Sequence, residues 1–313
     1  MSKERMQSAD ASPAEAQQAS QVSAHPGFFW TWIAPFIFLL FWSGGYTGVK
    51  VAVGFMEPVF MLTVRYAIVC AILLPALLIW RPPLPATARE WGQLALVGVL
   101  VQSLYFGLIN VATAIGGSPG ILAVIVAFQP LLVAILAPSL SGESVSWRAW
   151  VGLLLGLAGA LIAILARSSL GPTPLAALIA AVVGVLSMTI GTLIEKRFGK
   201  AHHPIVSNLV QCGAGGLASV PIVLLLETGR VTLTGTLVVT MAYLVICNSI
   251  IAMTLLFGMV RRGTATRASA LFFLVPPTAT LIAWVVLGEQ MPLMSLVGMA
   301  VAGIGVLLVR NAR

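Results

Sequence analysis

Charge is scarce in this 313-residue chain: Asp, Glu, Lys and Arg together make up 8%, against 59% hydrophobic residues. Soluble domains carry about a quarter charged residues, so this composition excludes one and points to lipid as the solvent. Cysteine and histidine are as sparse, with three of each. Cys70, Cys212 and Cys247 all sit inside apolar runs, which marks them as small core residues rather than a disulfide framework or a metal site. His25, His202 and His203 avoid the middle of every apolar run, and the nine acids lie at run ends or in loops. Without HExxH, GxSxG or paired acids in the runs, an embedded enzyme lacks its chemistry, and neither a cofactor nor a metal is implied. A buried carboxylate or histidine relay for protons is missing too, so transport would be facilitated, or coupled through a helix-end group such as Glu57.

What is present is length without charge. Apolar stretches of about 20 residues recur, each able to cross a hydrocarbon layer of about 30 Å. Breaks at Pro, Gly and charge divide them into ten spans: 30–52, 58–80, 92–112, 117–138, 147–167, 173–195, 203–226, 235–258, 264–287 and 291–309. In a bilayer such open segments must be helices, because only a helix satisfies its own backbone hydrogen bonds there. Residues 1–27, rich in Ala, Ser, Gln and Pro, read as a disordered cytoplasmic tail. The net charge of +8 is scattered between the runs, which fits topology rather than a nucleic-acid partner. With an internal amino terminus, twelve Lys and Arg fall on the inner side, and Arg167 and Arg230 fall on the outer side. That places both termini in the cytoplasm.

The chain also repeats. A shift of 146 positions puts Ser43 on Thr189, Gly45 on Gly191, Lys50 on Lys196, Arg65 on Gln211 and Gln102 on Asn248, and Gly142-Glu143 on Gly288-Glu289. Between these, one extra residue puts Gly116 on Gly263 and Pro130 on Pro277. Two units follow, 28–168 and 169–313, of five helices each. Since five is odd, the second unit enters the membrane from the opposite side. Inverted repeats are a recurring plan of secondary transporters, whose site lies between the halves near the midplane.

The runs WSGGYTGVK, MLTVRYAIV, AFQPLLVAIL and LVPPTATLIAWVVLGE, with GLLLGLAGALI and GMAVAGIGVLL, resemble EamA-type transporters of the drug/metabolite transporter superfamily. The resemblance runs from about residue 30 to 310, twice over. It implies an all-α integral membrane protein with ten transmembrane helices in two inverted five-helix repeats. Helices one to four of each half would surround a central cavity, and the cargo would be a small metabolite, often an exported amino acid. A bacterial cytoplasmic membrane is the implied location. Met188-Thr189-Ile190 replaces Trp42-Ser43-Gly44 in the second half, so the two sides of a cavity would differ.

Several residues carry two readings. Trp42, Ser43 and Tyr46 fall at mid-depth in the first span, where they line a wet cavity or merely pack; Gly44 and Gly45 mark a bend or a close approach. Lys50 snorkels to the headgroups or faces the cavity. Arg65 lies about 10 Å into the second span, and an intramembrane arginine is a site hypothesis by default, with Glu57 and nearby carbonyls as competing structural partners. Gln102 and Asn248, flanked by Tyr105 and Tyr243, either tie helices together or orient an amphiphilic ligand. Gln129-Pro130 and Pro276-Pro277 bend their helices or act as hinges, with Phe272 as an apolar wall. The Gly-Glu pairs at 142 and 288 open the fifth and tenth spans as caps. The small-residue faces of those spans, Gly152, Gly156 and Gly159, and Gly298, Ala302 and Gly305, suit close packing or a homodimer.

The function these readings support is outward transport of an amino acid or related amphiphile by alternating access. Multidrug or organic-cation efflux and a facilitative pore are the alternatives.

Overall fold

The computed structural model describes residues 28–167, 170–199 and 202–312; the expected amino-terminal tail lies outside them. Ten apolar helices follow in order: α1 Phe29–Ala52, α2 Pro58–Trp80, α3 Ala88–Ala114, α4 Pro119–Leu140, α5 Trp147–Arg167, α6 Leu175–Phe198, α7 Pro204–Leu226, α8 Gly235–Arg262, α9 Ala265–Leu287 and α10 Leu293–Asn311. Each is long enough to cross a bilayer, and the chain is a multi-pass membrane protein of two inverted repeats. Leu78, Ile79, Leu224 and Leu225 stay exposed along the flanks, as lipid-facing side chains do.

Packing reproduces the repeat. α1 packs on α8 and α9, as α6 packs on α3 and α4, while α2 pairs with α7 and α5 with α10. The first two contacts exchange under the inversion and the last two map onto themselves. The α5–α10 contact is close along its length: a Cβ on Gly159 would lie 2.3 Å from the Ala302 backbone N, and one on Gly305 would lie 2.4 Å from that of Gly156. The small-residue faces are therefore buried on each other within one chain, and a homodimer through them would require this pair to separate.

Two irregularities recur in both halves. α3 widens into a π-helix over Val99–Tyr105 and α8 over Leu244–Ala252. Wider turns free backbone carbonyls, and side chains from the facing helices reach them: Tyr66 Oη donates to Gln102 O (3.0 Å), and Asn208 Nδ2 to Ser249 O (3.1 Å). α4 is interrupted at Phe128, just before Gln129-Pro130, and α9 passes through a 3₁₀ turn over Leu271–Leu274, just before Pro276-Pro277. The prolines thus begin new helical segments, where a missing N–H costs nothing. α1, by contrast, runs unbroken through Gly44 and Gly45.

Gly142 (φ 72°) and Gly288 (φ 67°) are left-handed. They end α4 and α9 rather than opening the helices after them.

Candidate functional site

An aromatic chain occupies the centre of the first half and its border with α9. Trp42 meets Phe106 at 5.9 Å and Phe272 at 5.2 Å between ring centroids, Phe38 meets Phe272 at 5.6 Å, and Tyr105 meets Phe106 at 4.9 Å. Arg65 lies over Phe106 and Tyr66 at 5.5 and 5.2 Å. Trp42, Arg65, Tyr105 and Phe272 are all buried. Tyr46 shares side-chain hydrogen bonds with Tyr105 and Trp42 yet is 46% exposed.

Arg65 is the chemical centre of this cluster. It is 2% exposed, and its Nε has no hydrogen-bond partner. Its Nη2 reaches only the Tyr66 hydroxyl, at 3.4 Å. Among the described residues it forms no ion pair. A charged side chain at membrane depth costs about 2.5–3.5 kcal/mol, and stacking on two rings returns about 0.5–2 kcal/mol. No carboxylate among the described residues balances its charge. Glu57, expected as a competitor for Arg65, is engaged elsewhere: its carboxylate accepts from Thr228 N, Thr228 Oγ1 and Arg230 N at 2.9–3.1 Å. Desolvation raises the Glu57 carboxyl, but these bonds outweigh it and hold the group below the usual glutamate range.

The structure brings together Trp42, Tyr46, Arg65, Tyr105 and Phe272 from the sequence-derived set. Ser43 is fully buried one residue along, with its hydroxyl unpartnered. Gln129 is 2% exposed, with neither amide atom partnered. Other members make contacts between helices. Tyr243 Oη and Asn248 Nδ2 both donate to the Phe41 carbonyl, at 3.1 and 3.2 Å. Gly44 and Gly45 make room for them: a Cβ at either would lie 2.1 Å from Tyr243 Oη or 2.3 Å from Asn248 Nδ2. Gln102 turns its amide toward Cys212 in α7, with Sγ at 3.9 Å. Lys50 lies at the rim, paired with Glu289.

Gln102 and Asn248 do not face one another because the extra residue of the second repeat falls earlier than expected. Gly191 packs on Val101 as Gly45 packs on Asn248, so Val101, 147 positions earlier, is the structural counterpart of Asn248. One residue turns a helical side chain by about 100°.

Two features escaped the sequence reading. Phe106 links Arg65 to Trp42; its signal was the adjacent Tyr105-Phe106 pair. Glu195, taken as a helix-end acid, has a fully buried side chain. Arg261 Nε donates to it at 2.6 Å and Gln211 Nε2 at 2.9 Å, while Arg261 also donates to His202 O and Ser207 Oγ. Arg261 is therefore half of a buried ion pair rather than a solvent-facing topology residue.

Comparison with known proteins agrees with this architecture. The EamA-like transporter family matches twice, at residues 29–165 and 175–311. A WAT1-related chloroplastic protein of Arabidopsis thaliana is 28% identical, over 94% of this chain and 73% of its own. A probable terminal-alkyne amino-acid exporter of Streptantibioticus cattleyicolor is also 28% identical, over 72% of this chain and 74% of its own. One solved crystal structure superposes with a TM-score of 0.75 at 18% identity, covering 88% of this chain and 96% of the other; it bears on the fold alone.

Proposed function

The chain belongs to the EamA-like transporter family, and on that premise we propose that it exports a small carboxylate-bearing metabolite, an amino acid or related amphiphile, by alternating access. The observation that carries this reading is Arg65, a buried guanidinium with no ion-pair partner among the described residues, set against aromatic rings. A carboxylate is a group that the planar guanidinium fork binds bidentately. Trp42, Tyr105 and Phe106 offer apolar faces to the remainder of the substrate, and Tyr46, 46% exposed, stands beside them. The amino-acid exporter among the relatives supports the same class.

Outward movement and cytoplasmic termini rest on the family and on the excess of Lys and Arg on the C-terminal face. The inversion and the paired breaks before Pro130 and Pro276-Pro277 favour rocking of the halves over a fixed pore.

Purified protein in liposomes, loaded with a panel of neutral amino acids, aromatic carboxylates, nucleosides and organic cations, tests the reading. We expect counterflow of carboxylate-bearing members. Movement of organic cations alone would replace the proposal with cation efflux.

A further inference from the structure

Lys50 and Lys196 hold equivalent positions in the two repeats, and so do Glu143 and Glu289. The structure joins them crosswise between halves. On one face Lys50 Nζ, at the end of α1, lies 2.5 Å from Glu289 in the α9–α10 turn. On the C-terminal face Lys196 Nζ, at the end of α6, lies 3.3 Å from Glu143 in the α4–α5 turn. Each acid follows a left-handed glycine, Gly142 or Gly288, so the same local turn presents both carboxylates.

The pairs differ in their surroundings. Lys196 and Glu143 side chains are 12% and 10% exposed, Lys50 and Glu289 side chains 62% and 29%. Glu143 also accepts the Ala265 N–H at 2.9 Å, and Lys196 also donates to the Gly263 carbonyl. The opposite pair gains Arg167 as a second cation on Glu289. A wet ion pair holds weakly, while a drier pair is screened less.

We propose that these ion pairs are reciprocal gate latches of the transport cycle, the Lys196–Glu143 latch holding the C-terminal face shut and the Lys50–Glu289 latch the opposite face. In an inverted repeat, rocking one half against the other exchanges the environments of symmetry-related pairs. Opening the C-terminal face therefore wets Lys196–Glu143 and dries Lys50–Glu289. Here the drier pair is Lys196–Glu143, so the substrate-free structure is the state with its C-terminal face closed. This inference depends on the alternating-access reading.

Amide hydrogen exchange of the full chain in lipid nanodiscs, without substrate, tests it. Lys196→Gln leaves the Glu143 bond to Ala265 in place, so a local loss of that bond is not what the experiment detects. We expect Lys196→Gln to speed exchange across residues 141–146 and 263–265 by about tenfold while the 288–292 turn slows. Lys50→Gln should speed the 288–292 turn by a smaller factor. The charge reversal Lys196→Glu with Glu143→Lys should return exchange at residues 141–146 part of the way to wild type, since a lysine at 143 cannot accept the Ala265 N–H. Unchanged exchange in Lys196→Gln, or faster exchange on both faces together, would overturn the latch. If exchange shifts as expected but no solute moves in liposomes, the latch stands and the substrate reading falls.

Discussion

Arg65 and Gln211 occupy equivalent positions in the two repeats, but only Gln211 reaches a carboxylate. Its amide donates to Glu195, which Arg261 also holds, and the network closes on Ser207 and the His202 carbonyl. One equivalent hydroxyl pair shows the same difference, although Ser249, Thr266 and Ser295 of the second half are unpartnered too. Thr189 in α6 donates to the Val185 carbonyl, whereas its counterpart Ser43 in α1 has no partner. The second half carries its own counter-charge where the first half leaves a cation and a hydroxyl uncommitted. At these positions inversion of one template has produced a closed ion-pair network in one half and an unpaired cation in the other.

Four perturbations sharpen or break that comparison. The largest effect should fall on the closed network. Glu195→Gln strands Arg261 in the bundle and should lower stability by about 3–5 kcal/mol, read by thermal unfolding in detergent, whereas Glu195→Gln with Arg261→Gln should recover most of the loss. An unaltered melting temperature in the single variant would show that this network does not hold the second half. Arg65→Gln should reduce transport efficiency about 100-fold, equivalent to about 2.7 kcal/mol, while leaving the melting temperature unchanged or raised. Arg65→Lys should restore only part, since an ammonium lacks the fork.

Next in size is the seam between α1 and α8. Gly44→Ala places a methyl against Tyr243 Oη and should cost about 1–3 kcal/mol in stability. Adding Tyr243→Phe removes the nearest atom, and a double-mutant cycle should show coupling between the two. The smallest effect concerns the rim. The Glu57 carboxyl is held below its ordinary range, so its contribution is complete above the unfolded pKa, about 4.3. It is lost as the pH falls through the lowered folded value. Wild-type melting temperature should therefore drop more steeply with acid than that of Glu57→Gln.

The ten helices were legible because hydropathy, proline and glycine act locally, and in a bilayer they leave little choice of secondary structure. The inverted repeat was legible because identical residue types recur at a fixed offset. Register within α3 and α8 was not: a π-turn absorbs an extra residue without any apolar or polar signal, so Gln102 seemed to match Asn248 when Val101 does. The burial of Glu195 was hidden for another reason. An acid in the last turn of a helix reads as solvated unless one knows which helices cover it, and here α7 and α8 supply Gln211 and Arg261. Arg65 stood out because an arginine inside an apolar run needs an explanation whatever surrounds it.

The account turns on Arg65 recognising a carboxylate, and a matched pair of solutes tests that most directly: an amino acid and its carboxamide, compared for transport by wild-type protein and by Arg65→Gln in the same liposomes. Wild type should favour the carboxylate at least about tenfold, a difference of about 1.4 kcal/mol, and Arg65→Gln should lose that preference while moving the amide as before. Equal transport of acid and amide by the wild type, or a preference that survives Arg65→Gln, would contradict it.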